Sequence, residues 1–167
     1  TLHAALIHTK LGEMIAIANE AGLYLLEFVC SHRLERKIAN LEAKLHATIV
    51  EGMTPPIQSI ARELELYFSG DLKTFSTPVH IMGTPFQQAV WKELMRIPYG
   101  KTCSYMHQAQ SIGKPQAHRA VANANGANQL AVIIPCHRII QANGDLGGYG
   151  GGIKIKQWLL EHEGEHV

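Results

Sequence analysis

The stretch from Leu130 to Ile140 reads Leu-Ala-Val-Ile-Ile-Pro-Cys-His-Arg-Ile-Ile. Its apolar character marks it as interior, yet Cys136, His137 and Arg138 place a thiol, an imidazole and a guanidinium inside it. Burying such polar, ionisable groups costs roughly several kcal/mol unless they are paired. Three consecutive polar groups in an apolar run therefore indicate a built site. Read as an extended segment, the run points neighbouring side chains to opposite faces. His137 then need not touch Cys136, and a bridging water between them is expected.

The chemistry these residue types suggest is an activated thiolate. A cysteine thiol ionises near ~8.5 and is mostly protonated at neutral pH. Desolvation among Ile133, Ile134, Ile139 and Ile140 would raise that value further and leave Cys136 inert. Reactivity needs a base, and His137 is the imidazole adjacent in sequence. An imidazole base in turn needs an orienting acceptor, for which Asp145, Glu161, Glu163 and Glu165 are the candidates. Between Gly144 and Gly152, six of nine residues are glycine, interrupted by Asp145, Leu146 and Tyr149. No Gly-Lys-Ser/Thr ends this stretch and it does not sit inside a βαβ unit, so it is neither a P-loop nor a dinucleotide fingerprint. Glycines let a backbone approach a ligand closely, and here they suggest a pocket wall.

The rest of the chain frames this segment. A length of 167 residues with 46% hydrophobic and 17% charged residues is enough for a packed core. Without an apolar run of membrane length or a basic-then-apolar opening, a cytoplasmic protein is expected. In a eukaryotic source the nucleus would be the expectation, although no polybasic signal is seen. Three cysteines, Cys30, Cys103 and Cys136, fit a reducing compartment better than a disulfide scaffold. Cys30 and His32, with His3 or His80, match no strong zinc spacing, so no metal site is expected. Charge is uneven. Residues 1–84 hold seven basic and nine acidic residues, whereas residues 85–160 hold eight basic residues against Glu93 and Asp145. The second half is thus suited to face an anion.

Short apolar runs at Ala4–Ile7, Met14–Ala18 and Leu23–Val29, with a turn at Leu11-Gly12, predict strands. Leu34, Ile38, Leu41 and Leu45 predict a helix, and Ile57, Ile60, Leu64, Tyr67 and Phe68 a second, ended by Gly70. The expected first domain, residues 1–76, is a small antiparallel sheet with helices, followed by a linker over 69–83. The second domain is expected over 84–167. Thr84, Pro85 and Gln87 predict a capped helix start. Ser104 begins a short helix to about Ile112, and a third helix carries Arg119, Ala120, Val121 and Ala124. This outline is that of a helix-turn-helix. A last helix is expected from about Lys154 to Glu163, with Trp158 and Leu159 in the core.

Ile134-Pro135-Cys136-His137-Arg138-Ile139 resembles the active-site signature of the O6-alkylguanine-DNA alkyltransferases. Gly83–Trp91, Ile97-Pro98-Tyr99-Gly100, Ser104-Tyr105, Arg119-Ala120-Val121, Gly148–Gly152 and Trp158–Gly164 follow in that family's order and spacing. The first half resembles the family in length and pattern only. The resemblance implies an α+β fold, with a ribonuclease H-like N-terminal sheet domain and a mostly helical, winged-helix-like domain for DNA binding and catalysis. It implies a single-turnover DNA repair protein that flips O6-alkylguanine out of the duplex and takes the alkyl group onto its own cysteine. Partner and state would be alkylated double-stranded DNA and a monomer, with no cofactor; activity on O4-methylthymine stays open.

Carried over residue by residue, the resemblance makes Cys136 the acceptor, His137 the water-mediated base and Glu163 its orienting acid. Asn128 would brace the active-site turn. Tyr105 would contact the base and a neighbouring phosphate. Arg119 would fill the place of the flipped nucleotide, with Ala120, Ala124 and Arg138 also on the DNA side. Tyr149, Gly150, Ile139 and Trp91 would line the base pocket. Three positions depart from the pattern. Gln129 stands where proline is common, His118 where small residues are usual, and Gly150 where some members have serine. Two rival readings are an unreactive alkylated-DNA-binding module and a cysteine hydrolase. Cys136 argues against the first, and the second would need an oxyanion site.

Overall fold

A computed structural model describes Thr1–Val167, which divide into two compact units, Thr1–Ile81 and Met82–Val167. The first unit is built on a four-stranded sheet in the order β3-β2-β1-β4. Strands β1 (Leu2–Thr9), β2 (Gly12–Ala18) and β3 (Leu23–Phe28) form an antiparallel meander, while β4 (Ile49–Glu51) adds parallel to β1. The β1–β2 turn uses Gly12 at φ +106, a left-handed geometry that favours glycine, and the Thr9 hydroxyl donates to the Gly12 carbonyl at 2.6 Å. Asn19 makes the next turn, its side-chain oxygen accepting from the Ala21 and Gly22 amides at 2.8 and 2.9 Å.

Helices α1 (Leu34–Leu45) and α2 (Pro55–Phe68) pack on this sheet. Their apolar stripe buries Leu41, Ile57, Ile60 and Leu64 with Met14, Leu26 and Phe28. Three buried charged side chains are matched within the unit. Lys37 Nζ lies 2.6 Å from Glu27 Oε2, and the Glu63 carboxylate accepts from the Ser76 and Thr77 amides, each at 2.8 Å. Burial raises the Glu63 pKa, but these bonds and those from the Thr77 and Ser76 hydroxyls more than reverse it, leaving it below the usual value.

The segment expected to be a linker is instead fastened to the first unit. Glu63 holds Ser76 and Thr77, the Leu23 amide donates to the Pro78 carbonyl at 2.9 Å, and the His80 amide donates to the Leu23 carbonyl at 2.7 Å. The first unit accordingly extends to Ile81 and not to residue 76.

The second unit is mostly helical. Its helices are α3 (Pro85–Leu94), α4 (Tyr105–Ser111), α5 (His118–Gly126) and α6 (Ile153–Glu165). Both halves of the predicted capping box form at Thr84 and Gln87, and Ser104 accepts from the His107 amide at the start of α4. Gln108 and Asn125 exchange amide hydrogen bonds of 2.8 and 2.9 Å, locking α4 to α5 across the tight turn at Gly113. A two-stranded parallel ladder pairs β5 (Cys103–Ser104) with β6 (Ile139–Ile140).

The active-site run is not extended. It coils through a turn with Val132 at φ +71 and becomes a 3-10 turn over Cys136–Arg138 before β6. Backbone bonds from Ile134 to the Leu130 carbonyl and from Cys136 to the Ile134 carbonyl, 2.9 and 2.8 Å, replace the strand pairing expected.

Candidate active site

The 3-10 turn gives consecutive side chains opposite fates. Cys136 is partly exposed, whereas His137 is fully buried and Arg138 is 8% exposed. Cys136 is in no disulfide. Asn128, at the turn leaving α5, donates through Nδ2 to the Ile134 carbonyl at 2.8 Å and approaches Cys136 Sγ at 3.3 Å. Its side-chain oxygen accepts from the Leu130 amide at 2.9 Å. One amide thus ties both ends of the turn to the sulfur.

Of the four acids open to His137, Glu163 is the one that reaches it. Helix α6 brings Glu163 Oε2 to 2.8 Å from His137 Nε2. The same carboxylate takes Arg138 in a fork, Nε to Oε1 at 2.7 Å and a terminal nitrogen to Oε2 at 3.0 Å. Burial would raise the Glu163 pKa. Hydrogen bonds and charge from His137 and Arg138 overturn that and hold it far below the usual carboxylate range. Burial lowers the His137 pKa, and Glu163 opposes without reversing the shift. The imidazole is therefore neutral at pH 7. With Nε2 facing an ionised carboxylate, Nε2 carries the proton and Nδ1 the lone pair. Nδ1 meets no protein hydrogen-bond partner.

Around this core, Tyr105 opens α4, and its hydroxyl approaches the glycine-rich strap. Burial raises its pKa, the charge of Cys136 adds to that, and a hydrogen bond from the Gly148 backbone opposes, so the phenol stays protonated. Tyr149 meets the His137 ring edge-on, with centroids 6.5 Å apart. Arg119 and Ala120 are exposed on the first turn of α5. A cleft of about 380 Å³ is lined by Tyr105, His118, Arg119, Gln141, Gly147 and Gly148. Gly150 is partly exposed on the same strap.

Four residues expected at the site lie elsewhere. Arg138 does not face outward toward DNA; besides Glu163 it binds the Ile97 carbonyl at 2.7 Å and lies over the Tyr99 ring. Ala124 is 2% exposed, and its carbonyl accepts from Trp91 Nε1 at 2.8 Å. Trp91, also 2% exposed, belongs to the α3–α5 packing and not to a base pocket. Ile139 is fully buried as the β6 partner of Cys103. In each case an apolar or shielded environment removes the side chain from any ligand.

One residue was missed. Lys156 on α6 is fully buried and points at the strap, donating to the Leu146 and Gly148 carbonyls, the latter at 3.1 Å. The signal was available as the spacing Lys156, Leu159, Glu163, which is one helix face.

This arrangement can deprotonate a thiol, expose it to a bound electrophile and offer a phenol donor beside it. The family model described as "6-O-methylguanine DNA methyltransferase, ribonuclease-like domain" matches residues 2–81, and "6-O-methylguanine DNA methyltransferase, DNA binding domain" matches residues 85–165. A methylated-DNA–protein-cysteine methyltransferase of Methanosarcina barkeri is 42% identical over 159 residues, covering 95% of this chain and 94% of the relative. One from Methanosarcina acetivorans is 39% identical over 163 residues, 98% of this chain and 99% of the relative. The crystal structure of Mycobacterium tuberculosis O6-methylguanine methyltransferase superposes with a TM-score of 0.83 at 38% identity, covering 100% of this chain and 95% of that one. The Mycobacterium tuberculosis protein in complex with DNA gives 0.84 at 38% identity, covering 99% and 94%.

Proposed function

The chain belongs to the 6-O-methylguanine DNA methyltransferase family, and from that premise we propose that Cys136 accepts the alkyl group of an O6-alkylguanine in duplex DNA. The protein is a DNA repair transferase, and its partner is DNA. The observation that carries the assignment of Cys136 is a partly exposed thiol next to a buried, neutral imidazole clamped by Glu163.

The target atom sits inside a stacked duplex, so the base leaves the stack at a cost of about a few kcal/mol. Arg119, exposed beside the cleft, enters the space left behind. The thiol proton passes to His137 Nδ1 through a water, and Glu163 stabilises the imidazolium that forms. Cys136 Sγ then attacks the alkyl carbon in line. The S–C bond forms as the C–O6 bond breaks, the electron pair goes to guanine, and a proton restores the neutral base. Tyr105, kept protonated by burial, donates to the base as negative charge develops. The thioether cannot revert, so each molecule acts once. No residue here needs a cofactor to complete the step.

Cys136→Ser tests this reading. Transfer is abolished while affinity for DNA persists, because affinity rests on phosphate and groove contacts of α5. Transfer by the variant at a rate comparable with wild type contradicts the assignment.

A further inference from the structure

His118 and Gln141 are two polar side chains of the cleft that the alkyl-transfer step does not use. His118 is exposed on the first turn of α5, where small residues are usual in the family. Ala122, four residues on, is exposed as well, and both line the cleft of about 380 Å³, so one face of α5 forms a wall of it. Gln141 reaches the same cleft from the turn after β6. Its backbone is fixed there, the amide donating to the Asp145 carbonyl at 2.8 Å and the carbonyl accepting from the Gly144 amide at 3.0 Å. Neither side chain has a hydrogen-bond or ion-pair partner in the protein, although an imidazole and a carboxamide both carry donors.

The lining indicates what such a cleft takes. Tyr105, His118, Arg119 and Gln141 can each donate a hydrogen bond, and no carboxylate lines it. Donors without an acid fit an anion. Residues 85–160 carry eight basic residues against Glu93 and Asp145, so the wider field has the same sign. The anion that duplex DNA brings is the phosphodiester. With the base held between Tyr105 and Cys136, the backbone of an extrahelical nucleotide stays at the mouth, where the exposed His118 and Gln141 stand.

We propose that His118 and Gln141 grip a phosphodiester beside the extrahelical nucleotide, and that the imidazole makes DNA affinity rise as pH falls. This rests on the alkyl-transfer reading above and adds a pH dependence that a small residue in place of His118 cannot supply. The sign follows from linkage. A bound phosphate favours imidazolium over imidazole, so binding is tighter where histidine is charged and loosens as pH rises past the ordinary ~6.5 of that side chain. The titratable or charged groups that face His118 across the cleft are Tyr105 from α4 and Arg119 from its own helix; the strap and the Gln141 turn present none. A phenol kept protonated by burial and a guanidinium do not change charge in that range, so the imidazole is the group that does.

The test measures the affinity of the full chain carrying Cys136→Ser for a duplex containing O6-methylguanine, at about pH 6 and pH 8. Removing the thiol keeps its own titration out of the result. Affinity is expected to rise ~three- to fivefold from the higher pH to the lower, the worth of one exposed ion pair. Adding His118→Asn is expected to remove that gain, and adding His118→Lys to restore tight binding at both values. Gln141→Ala is expected to weaken binding at both. With His118 intact, a duplex carrying uncharged methylphosphonate linkages on either side of the lesion is expected to show no gain. A gain of full size in His118→Asn, one that survives the methylphosphonates, or unaltered affinity in Gln141→Ala overturns the proposal. Wild-type protein that takes no methyl group from the unmodified duplex fails the alkyl-transfer reading itself, a result distinct from any of these.

Discussion

His137 Nε2 lies 2.8 Å from Glu163 Oε2, and neither side chain is reached by solvent. Because Arg138 already neutralises the carboxylate, Glu163 orients the imidazole without forcing a proton onto it. The ring stays neutral with its lone pair at Nδ1, which is the form a general base requires.

This relay fixes the pH dependence of the reaction. Burial holds the His137 pKa below its usual ~6.5, so the base remains competent below that pH. His137→Ala removes the proton acceptor and Glu163→Gln the carboxylate that orients it and stabilises its charged form, and the rate then follows ionisation of the thiol alone. Both variants are expected to slow transfer at pH 7, with the defect shrinking as pH rises toward ~8.5 and above. Rate-against-pH profiles check this; three coincident midpoints would exclude the relay as the source of the thiolate.

Arg119 stands exposed at the cleft, on the first turn of α5. If it holds an extrahelical base, Arg119→Ala slows repair of a duplex far more than reaction with free alkylated guanine. Parallel rate measurements on the two substrates decide between this and a role in the fold, which would slow both equally. Binding of the duplex is also expected to weaken as salt rises, because the cations that meet phosphates release counterions, and few exposed cations keep that slope modest.

With its guanidinium buried on Glu163 and the Ile97 carbonyl, Arg138 is expected to contribute to stability and not to DNA affinity. Arg138→Met leaves the Glu163 carboxylate buried with one partner fewer, a change that costs about 3–5 kcal/mol. The loss appears as a lower melting temperature at pH 7. Glu163 has its pKa depressed on folding, so its stabilisation is present above the unfolded value of ~4.3 and is lost as pH falls below it. The gap between variant and wild type should narrow in acid. The salt dependence of DNA binding should stay unchanged; a shallower slope would mean that Arg138 meets phosphate.

What the sequence made legible was local. Thr84 and Gln87 reveal α3 because a capping box closes within four residues, and the short apolar run Met14–Ala18 before the Asn19–Gly22 turn reveals β2. Strand β4 escaped because three residues carry no period. The run before Cys136 was misread because a continuous apolar stretch has the same composition as a strand or a buried turn, and Val132 gives no warning of its positive φ. Arg138 was assigned outward because its carboxylate partner lies 25 residues away, on a helix whose approach no local pattern announces. Trp91 and Ala124 were misplaced for a related reason. A broad apolar face on α3 shows that it packs, but not that α5 is the surface it meets.

The most direct measurement is the mass of the Cys136 peptide after the protein meets duplex DNA carrying O6-methylguanine. The expected result is one methyl group in place of one hydrogen on Cys136, in proportion to the damaged base repaired, with no further turnover. An unchanged mass alongside loss of the damaged base, or a methyl group on Cys30 or Cys103, would contradict it.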